Sequence, residues 1–402
     1  MIAATTAVPA TAAPAVLNPA GTSVLGDGPA LDLVALRADR RRRLFRAMAD
    51  HDLDVLVLGR PAEVSFATGA RQLWTSGTRP FGPACVVVGA TGRTHLLSVS
   101  DDGVPTEISH AELFGLSWNP ANLVASLAAI PGVSGARRVG TTSSSPGLPR
   151  MIEAIATGAE VVDGAEALWS ARAAKSADEV ACMATATATA EAGLTAMVDA
   201  LRPGASERDL LAALLSRIAA LGAPNPSSEG VACATEPKGR VRLRRLASGQ
   251  PIGDGQLVVL DAGASFAGYE GGVGRTWPAG SDDASDAQIA LGERCRALLA
   301  AIRVACRAGA AGADLLQAWR STGEPFGPEP IAMGMGLGAE PPVIGDGVGE
   351  GSVLVAGMVL AVTAWVSQVG VGGFAERDVL VVGDGDAQVL GRYGRGPAGG
   401  GR

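Results

Sequence analysis

The sequence predicts two domains, an α/β layer followed by an α+β layer, with a tail at each end. Three observations carry this. Up to residue 165, short apolar runs of strand length alternate with segments of helical spacing. Beyond it, a long alanine-rich helical stretch gives way to a succession of strand patterns. The length, 402 residues, also exceeds what one hydrophobic core usually organises. The predicted divisions are a disordered Ala/Pro/Gly-rich tail over 1–30, the α/β domain over 31–165, the α+β domain over 166–393 and a disordered glycine-rich tail over 394–402.

Residues 31–51 have helical spacing, with Leu36, Leu44 and Met48 as an apolar stripe and Arg40 to Arg43 as a solvated face. A buried strand follows over 54–59, and two more over 84–88 and 94–99, separated by the turn Ala90-Thr91-Gly92. Helices are predicted over 121–129 and 149–156, alternating with strands at 138–141 and 161–162. The long helix after Lys175 stops at Pro203-Gly204, and Ser206 with Asp209 caps the next, over 207–221. Strand patterns then occupy 256–261, 264–266, 273–277, 353–355, 358–366 and 379–382, with a further helix over 286–309.

Composition excludes several functions. A formal charge of −7, from 33 basic and 40 acidic side chains, offers no footprint for nucleic acid or an anionic membrane. Every apolar stretch is broken by charge, Gly or Pro before spanning length, and the first residues lack the basic region of a signal peptide. The cysteines, five in number and never at C-x-x-C spacing, imply reduced buried thiols and a cytoplasmic protein. Gly271-Gly272-Val273-Gly274-Arg275-Thr276 lacks the G-K-[ST] ending of a phosphate loop.

Several strings in the second half, in order, carry a resemblance. They are Lys175-Ser176-Ala177-Asp178-Glu179, Arg202-Pro203-Gly204-Ala205-Ser206-Glu207, Val258-Val259-Leu260-Asp261-Ala262-Gly263, Gly268-Tyr269, Arg275-Thr276, Gly334-Met335-Gly336-Leu337, Glu340-Pro341-Pro342, Gly357-Met358-Val359-Leu360-Ala361-Val362 and Glu376 with Leu380-Val381. Together they resemble the pita-bread metallopeptidase family, the group of creatinase, prolidase, aminopeptidase P and methionine aminopeptidase. Arg37 to Leu58 and Phe66-Ala67-Thr68-Gly69 are similar to the creatinase-type N-terminal domain. The resemblance implies an α/β creatinase-like N-terminal domain followed by an α+β pita-bread domain, and a homodimer in which the first domain, through Trp74, covers the partner's cleft.

It also implies a site that binds two divalent ions through two aspartates, a histidine and two glutamates, hard oxygens plus one imidazole. Asp261 falls on the first aspartate, but Gly272 stands where the second belongs. Met333 takes the histidine position, Thr363 that of the first glutamate, and Glu376 that of the last. No histidine follows His110, so the proton-shuttling imidazoles are absent too; Ala339 stands where one is expected. His51, His95 and His110 show no ligand spacing. Creatinase works without metal, but its strand glutamate falls on Gly274.

The expectation is a metal-free chain, a peptide- or small-molecule-binding pseudoenzyme related to Xaa-Pro peptidases. Asp261 and Glu376 are the vestigial or repurposed catalytic pair, Tyr269, Arg275 and Glu340 are the substrate-binding groups, and Glu270 and Asp378 lie near the cleft. The alternative is a metal-independent hydrolase or lyase acting on a small C–N bonded substrate with Asp261 and Glu376 as acid and base. A weaker alternative is a conventional Xaa-Pro peptidase, for which a divalent metal would be required.

Overall fold

The structure, a computed structural model, describes residues 16–17, 23–24, 31–70, 84–115, 119–142, 147–223, 226–227, 230–236, 242, 246–280, 284–327 and 329–393. Most of the expected N-terminal tail, the whole of 394–402 and Trp74 lie outside them. Within the tail, β1 (Val16–Leu17) pairs antiparallel with β2 (Ser23–Val24). Contacts divide the chain into two units, Asp32–Lys175 and Ser176–Arg402 with Met1–Leu31.

The unit Asp32–Lys175 contains α1 (Leu33–Asp50), β3 (Val55–Leu58), α2 (Pro61–Thr68), β4 (Cys85–Val88), β5 (Arg93–Leu97), β6 (Leu113–Phe114), α3 (Pro120–Ala128), β7 (Arg138–Thr141), α4 (Leu148–Ile155), β8 (Glu160–Asp163) and α5 (Ala165–Arg172). Its six strands lie in the order β6-β5-β4-β3-β7-β8. The Asp32 carboxylate starts α1 by accepting from the Val34 and Ala35 amides at 3.0 and 2.9 Å. The basic run on α1 is not wholly the solvated face that its charge suggests. Arg42 and Arg46 are exposed, but Arg40 is buried and Arg43 turns inward, donating to the Ala171 and Ala174 carbonyls at 2.9 and 3.0 Å. Those bonds tie α5 to α1 within the unit that runs to Lys175.

The second unit opens with α6 (Ala177–Ala200) and α7 (Glu207–Ala220), each begun by a serine cap. Ser176 Oγ accepts from the Glu179 amide at 3.3 Å while the Glu179 carboxylate accepts from the Ser176 amide at 2.7 Å. Then follow β9 (Val231–Ala234), β10 (Leu257–Phe266), β11 (Tyr269–Pro278), α8 (Asp286–Ala305), α9 (Gly312–Arg320), β12 (Ala332–Gly336), β13 (Gly338–Ile344), β14 (Val359–Gln368), β15 (Gly372–Val381) and β16 (Gln388–Val389). They form one eight-stranded sheet, β13-β12-β14-β15-β11-β10-β9, with β16 paired to β15.

Two predicted strands, 256–261 and 264–266, are one continuous strand, β10, because Ala262 and Gly263 stay within the ladder to β11. The strand expected at 353–355 is instead a single bridge, Val353 to Ala311. The helix expected over 286–309 ends at Ala305, and α9 follows it.

Burial fixes which side of the sheet carries helices. Leu260, Ala262, Ala264, Val273 and Trp277 pack with Leu194, Met197, Leu210, Leu214 and Ile218 of α6 and α7 in one core. Each fully buried leucine contributes on the order of 2 kcal/mol. On this side Gly271 allows close approach, since a Cβ there would lie 2.2 Å from the Thr187 backbone nitrogen of α6. All five cysteines are buried and none forms a disulfide, and burial pushes the Cys85, Cys295 and Cys306 thiols up, which makes those three inert core groups.

Candidate functional site

Strand parity decides which side chains meet, because neighbours along a strand face opposite sides while register partners share one. Asp261 aligns with Gly274, and Gly274 with Arg377. Arg377 aligns with Thr363, and Ala361 on the same face of β14 aligns with Met333. Asp261, Gly272, Gly274, Thr363, Met333 and Arg377 therefore share the face opposite α6 and α7. Glu270, two positions before Gly272, points the same way. A small apolar wall of Val231, Cys233 and Val259, with Ala375 against it, flanks Asp261 on this face.

The centre of this face is an ion pair. Arg377 Nη2 donates to Asp261 Oδ1 at 2.5 Å and lies 3.4 Å from the Ala262 carbonyl. The two side chains are 13% and 11% exposed, so the pair is only weakly screened by solvent. To reach Asp261 on β10, the arginine crosses β11 directly over its glycines. A Cβ on Gly272 would sit 2.4 Å from Arg377 Nη2, and one on Gly274 would sit 3.0 Å from the arginine Cβ. The space in front of Gly272 is thus filled by guanidinium.

Glu270 and Glu340 complete the polar set. Burial pushes the Glu270 carboxyl up to about 7, Arg377 works against that rise, and the charge of Glu340 adds to it. Glu340 is itself buried.

The structure does not bring Glu376 to Asp261. Glu376 faces α8, where its Oε1 is 4.0 Å from Arg296 Nη1. A one-residue difference in register reverses the face of every side chain on a strand, so Arg377 takes the position beside Asp261 that the sequence reading gives to Glu376. Tyr269 and Arg275 also lie on the helical side. The Tyr269 hydroxyl donates to Glu179 Oε1 of α6 at 2.6 Å. Arg275 Nη2 donates to Asp378 Oδ1 at 2.8 Å, its Nη1 donates to the Arg377 carbonyl at 2.8 Å, and Arg303 of α8 lies 3.6 Å from Asp378. Of the expected site residues, Asp261 stands with the Arg377 group, Glu340 is near enough for its charge to act on Glu270, and Tyr269, Arg275, Glu376 and Asp378 stand behind the sheet.

This donor set does not fit a pair of divalent ions. Gly272 has no side chain, the Met333 thioether is soft and neutral, the Thr363 hydroxyl is a weak ligand, and a fixed cation occupies Asp261. Among the described residues, no group of three or more His, Cys, Asp or Glu side chains is arranged to hold a metal ion. What the face offers instead is a held carboxylate–guanidinium pair, a carboxyl that titrates near neutrality and an apolar wall, a set suited to hydrogen bonding with an organic ligand.

Two layers, a mixed six-stranded sheet in one unit and a helix-backed eight-stranded sheet in the other, define the pita-bread class with its N-terminal domain. The sequence matches metallopeptidase family M24 over residues 181–384, and the chain belongs to that family. Solved structures agree on the fold. Prolidase from Pyrococcus horikoshii OT3 is 19% identical at a TM-score of 0.73, covering 89% of this chain and 99% of that one. Dipeptidase PepE from Mycobacterium ulcerans is 23% identical at a TM-score of 0.73, covering 90% and 97%. The His350Ala form of Escherichia coli aminopeptidase P is 16% identical at a TM-score of 0.66, covering 88% and 94%. No curated protein matches the chain by sequence.

Sequence reasoning missed Arg377 altogether. Its signal was the pair Gly272 and Gly274, which clears one face of a strand for a long neighbouring side chain.

Proposed function

We propose that this chain is a pita-bread homologue of the Xaa-Pro peptidases that no longer performs dinuclear metal hydrolysis and instead binds a peptide or small molecule on the Asp261 face. The observation that carries the reading is the Arg377 guanidinium held 2.5 Å from Asp261, in the space before Gly272. We further place the protein in the cytoplasm, in keeping with cysteines that form no disulfide, and read it as a homodimer without nucleic-acid partners. Among the described residues no helix is long and apolar enough to cross a membrane.

The test is metal content together with activity. The purified protein, dialysed against manganese, cobalt or zinc, is expected to retain far less than one equivalent and to leave Xaa-Pro dipeptides uncleaved. Near-stoichiometric metal with Xaa-Pro hydrolysis would restore the conventional peptidase reading.

One observation favours a second reading, a metal-independent hydrolase or lyase acting on a small C–N bonded substrate. Glu270, held up to about 7, is able to give or take a proton at neutral pH within reach of the charges of Arg377 and Glu340. In that case Glu270→Gln abolishes turnover of a substrate found by screening, whereas a pure binding site retains affinity.

A further inference from the structure

We propose that Arg377 is a tethered cation that has taken over the place of the metal, and that Arg377 and Gly272 form an exchange unit: neither returns to a metal-binding identity unless the other does. The inference rests on the loss-of-metal reading above and concerns what now enforces it.

Three features of the sheet converge on this assignment. Arg377 and Asp261 lie on strands that do not pair directly at this level, and the side chain bridges them across β11. The bridge exists only because β11 has glycine at 272 and 274, where a Cβ would approach Arg377 Nη2 to 2.4 Å and its Cβ to 3.0 Å. The guanidinium also reaches the Ala262 carbonyl at 3.4 Å, so its Nη2 edge is directed at β10 from across β11.

The consequence is electrostatic. A divalent ion seated against Asp261 would meet a fixed positive charge within a few ångströms, between side chains so little exposed that solvent screens them poorly. A carboxylate introduced at position 272 would find Arg377 before it found a metal, because the guanidinium already stands at contact distance. Restoring missing ligands one at a time therefore adds partners for the arginine, not a metal site.

The experiment compares two variants of the full chain by manganese binding, followed by electron paramagnetic resonance and calorimetry. The first carries Gly272→Asp, Met333→His and Thr363→Glu. The second carries the same changes with Arg377→Glu. Circular dichroism confirms that each is folded. The second variant is expected to bind manganese at least about a hundredfold more tightly than the first. Equal manganese affinity in the two, whether tight or undetectable, overturns the exchange unit. Tight binding by the unaltered chain would instead sink the parent reading, so the two failures are distinguishable.

A second measurement covers variants that fold poorly. Asp261→Asn and Arg377→Met are each expected to lower the melting temperature, and the double variant to recover most of the loss, because it removes both buried charges together. Additive losses in that cycle overturn the assignment as well.

Discussion

At the scale of single residues, Glu270 makes the site's electrostatics measurable. A carboxyl with a folded value of about 7 and an unfolded value near 4.3 binds more protons in the folded state between those limits. Its contribution to stability is thus lost as pH rises through that window, and the penalty is complete above it. Glu270→Gln removes the penalty. Urea unfolding should show the variant more stable than the parent by about 2 kcal/mol at pH 8 and unchanged at pH 4, the full shift being discounted for partial exposure. A gain of equal size at both values would show that the carboxyl does not titrate in this range. Tyr269 gives the opposite kind of test, since its hydroxyl serves the buried Glu179 carboxylate behind the sheet. Tyr269→Phe should cost about 1–2 kcal/mol in thermal unfolding and leave ligand affinity unchanged. A binding defect without a stability loss would move Tyr269 back to the cleft.

At the scale of elements, the glycines of β11 separate two demands made by one strand. Gly272 and Gly274 open the front face to Arg377, while Gly271 admits α6 on the back. Gly271→Ala should therefore destabilise the chain by about 2 kcal/mol or more, because the atom that obstructs the new methyl is helix backbone, which cannot swing aside as a side chain does. Retention of full stability would mean that α6 can shift outward. The same strand shows what was legible in sequence. The caps Ser176 and Ser206, the apolar runs of β3, β4 and β14, and the α8 periodicity all announce themselves locally. The short helices α2, α5 and α9 and the strands β9, β12 and β13 do not, because eight or nine residues of mixed pattern, or a glycine-rich strand end, carry too little period. The site was half legible for a related reason. Matched strings gave the family and the missing ligands Gly272, Met333 and Thr363, but not parity, and parity alone separates Glu376 from Arg377.

At the scale of the whole molecule, a charge built into the sheet changes how the fold responds to its surroundings. A ligand that binds only the folded state raises stability by an amount set by its concentration over its dissociation constant, about 2.7 kcal/mol at a hundredfold excess. A dinuclear site would therefore register in the melting temperature of the whole second unit, since β10, β11, β15, β14 and β12, which carry the ligand positions, are consecutive strands of its sheet. On the proposed reading, in which Arg377 neutralises Asp261, that linkage has nothing to act on. The melting temperature is accordingly expected to be the same, within about one degree, in chelator and in millimolar manganese, because one degree in a chain of this size corresponds to about 0.8 kcal/mol, well below the linkage a bound ion would supply. Scanning calorimetry in both buffers decides it. A rise of several degrees with manganese would mean that the ion competes successfully with the guanidinium, and that the sheet still holds a metal site which the ion pair only masks.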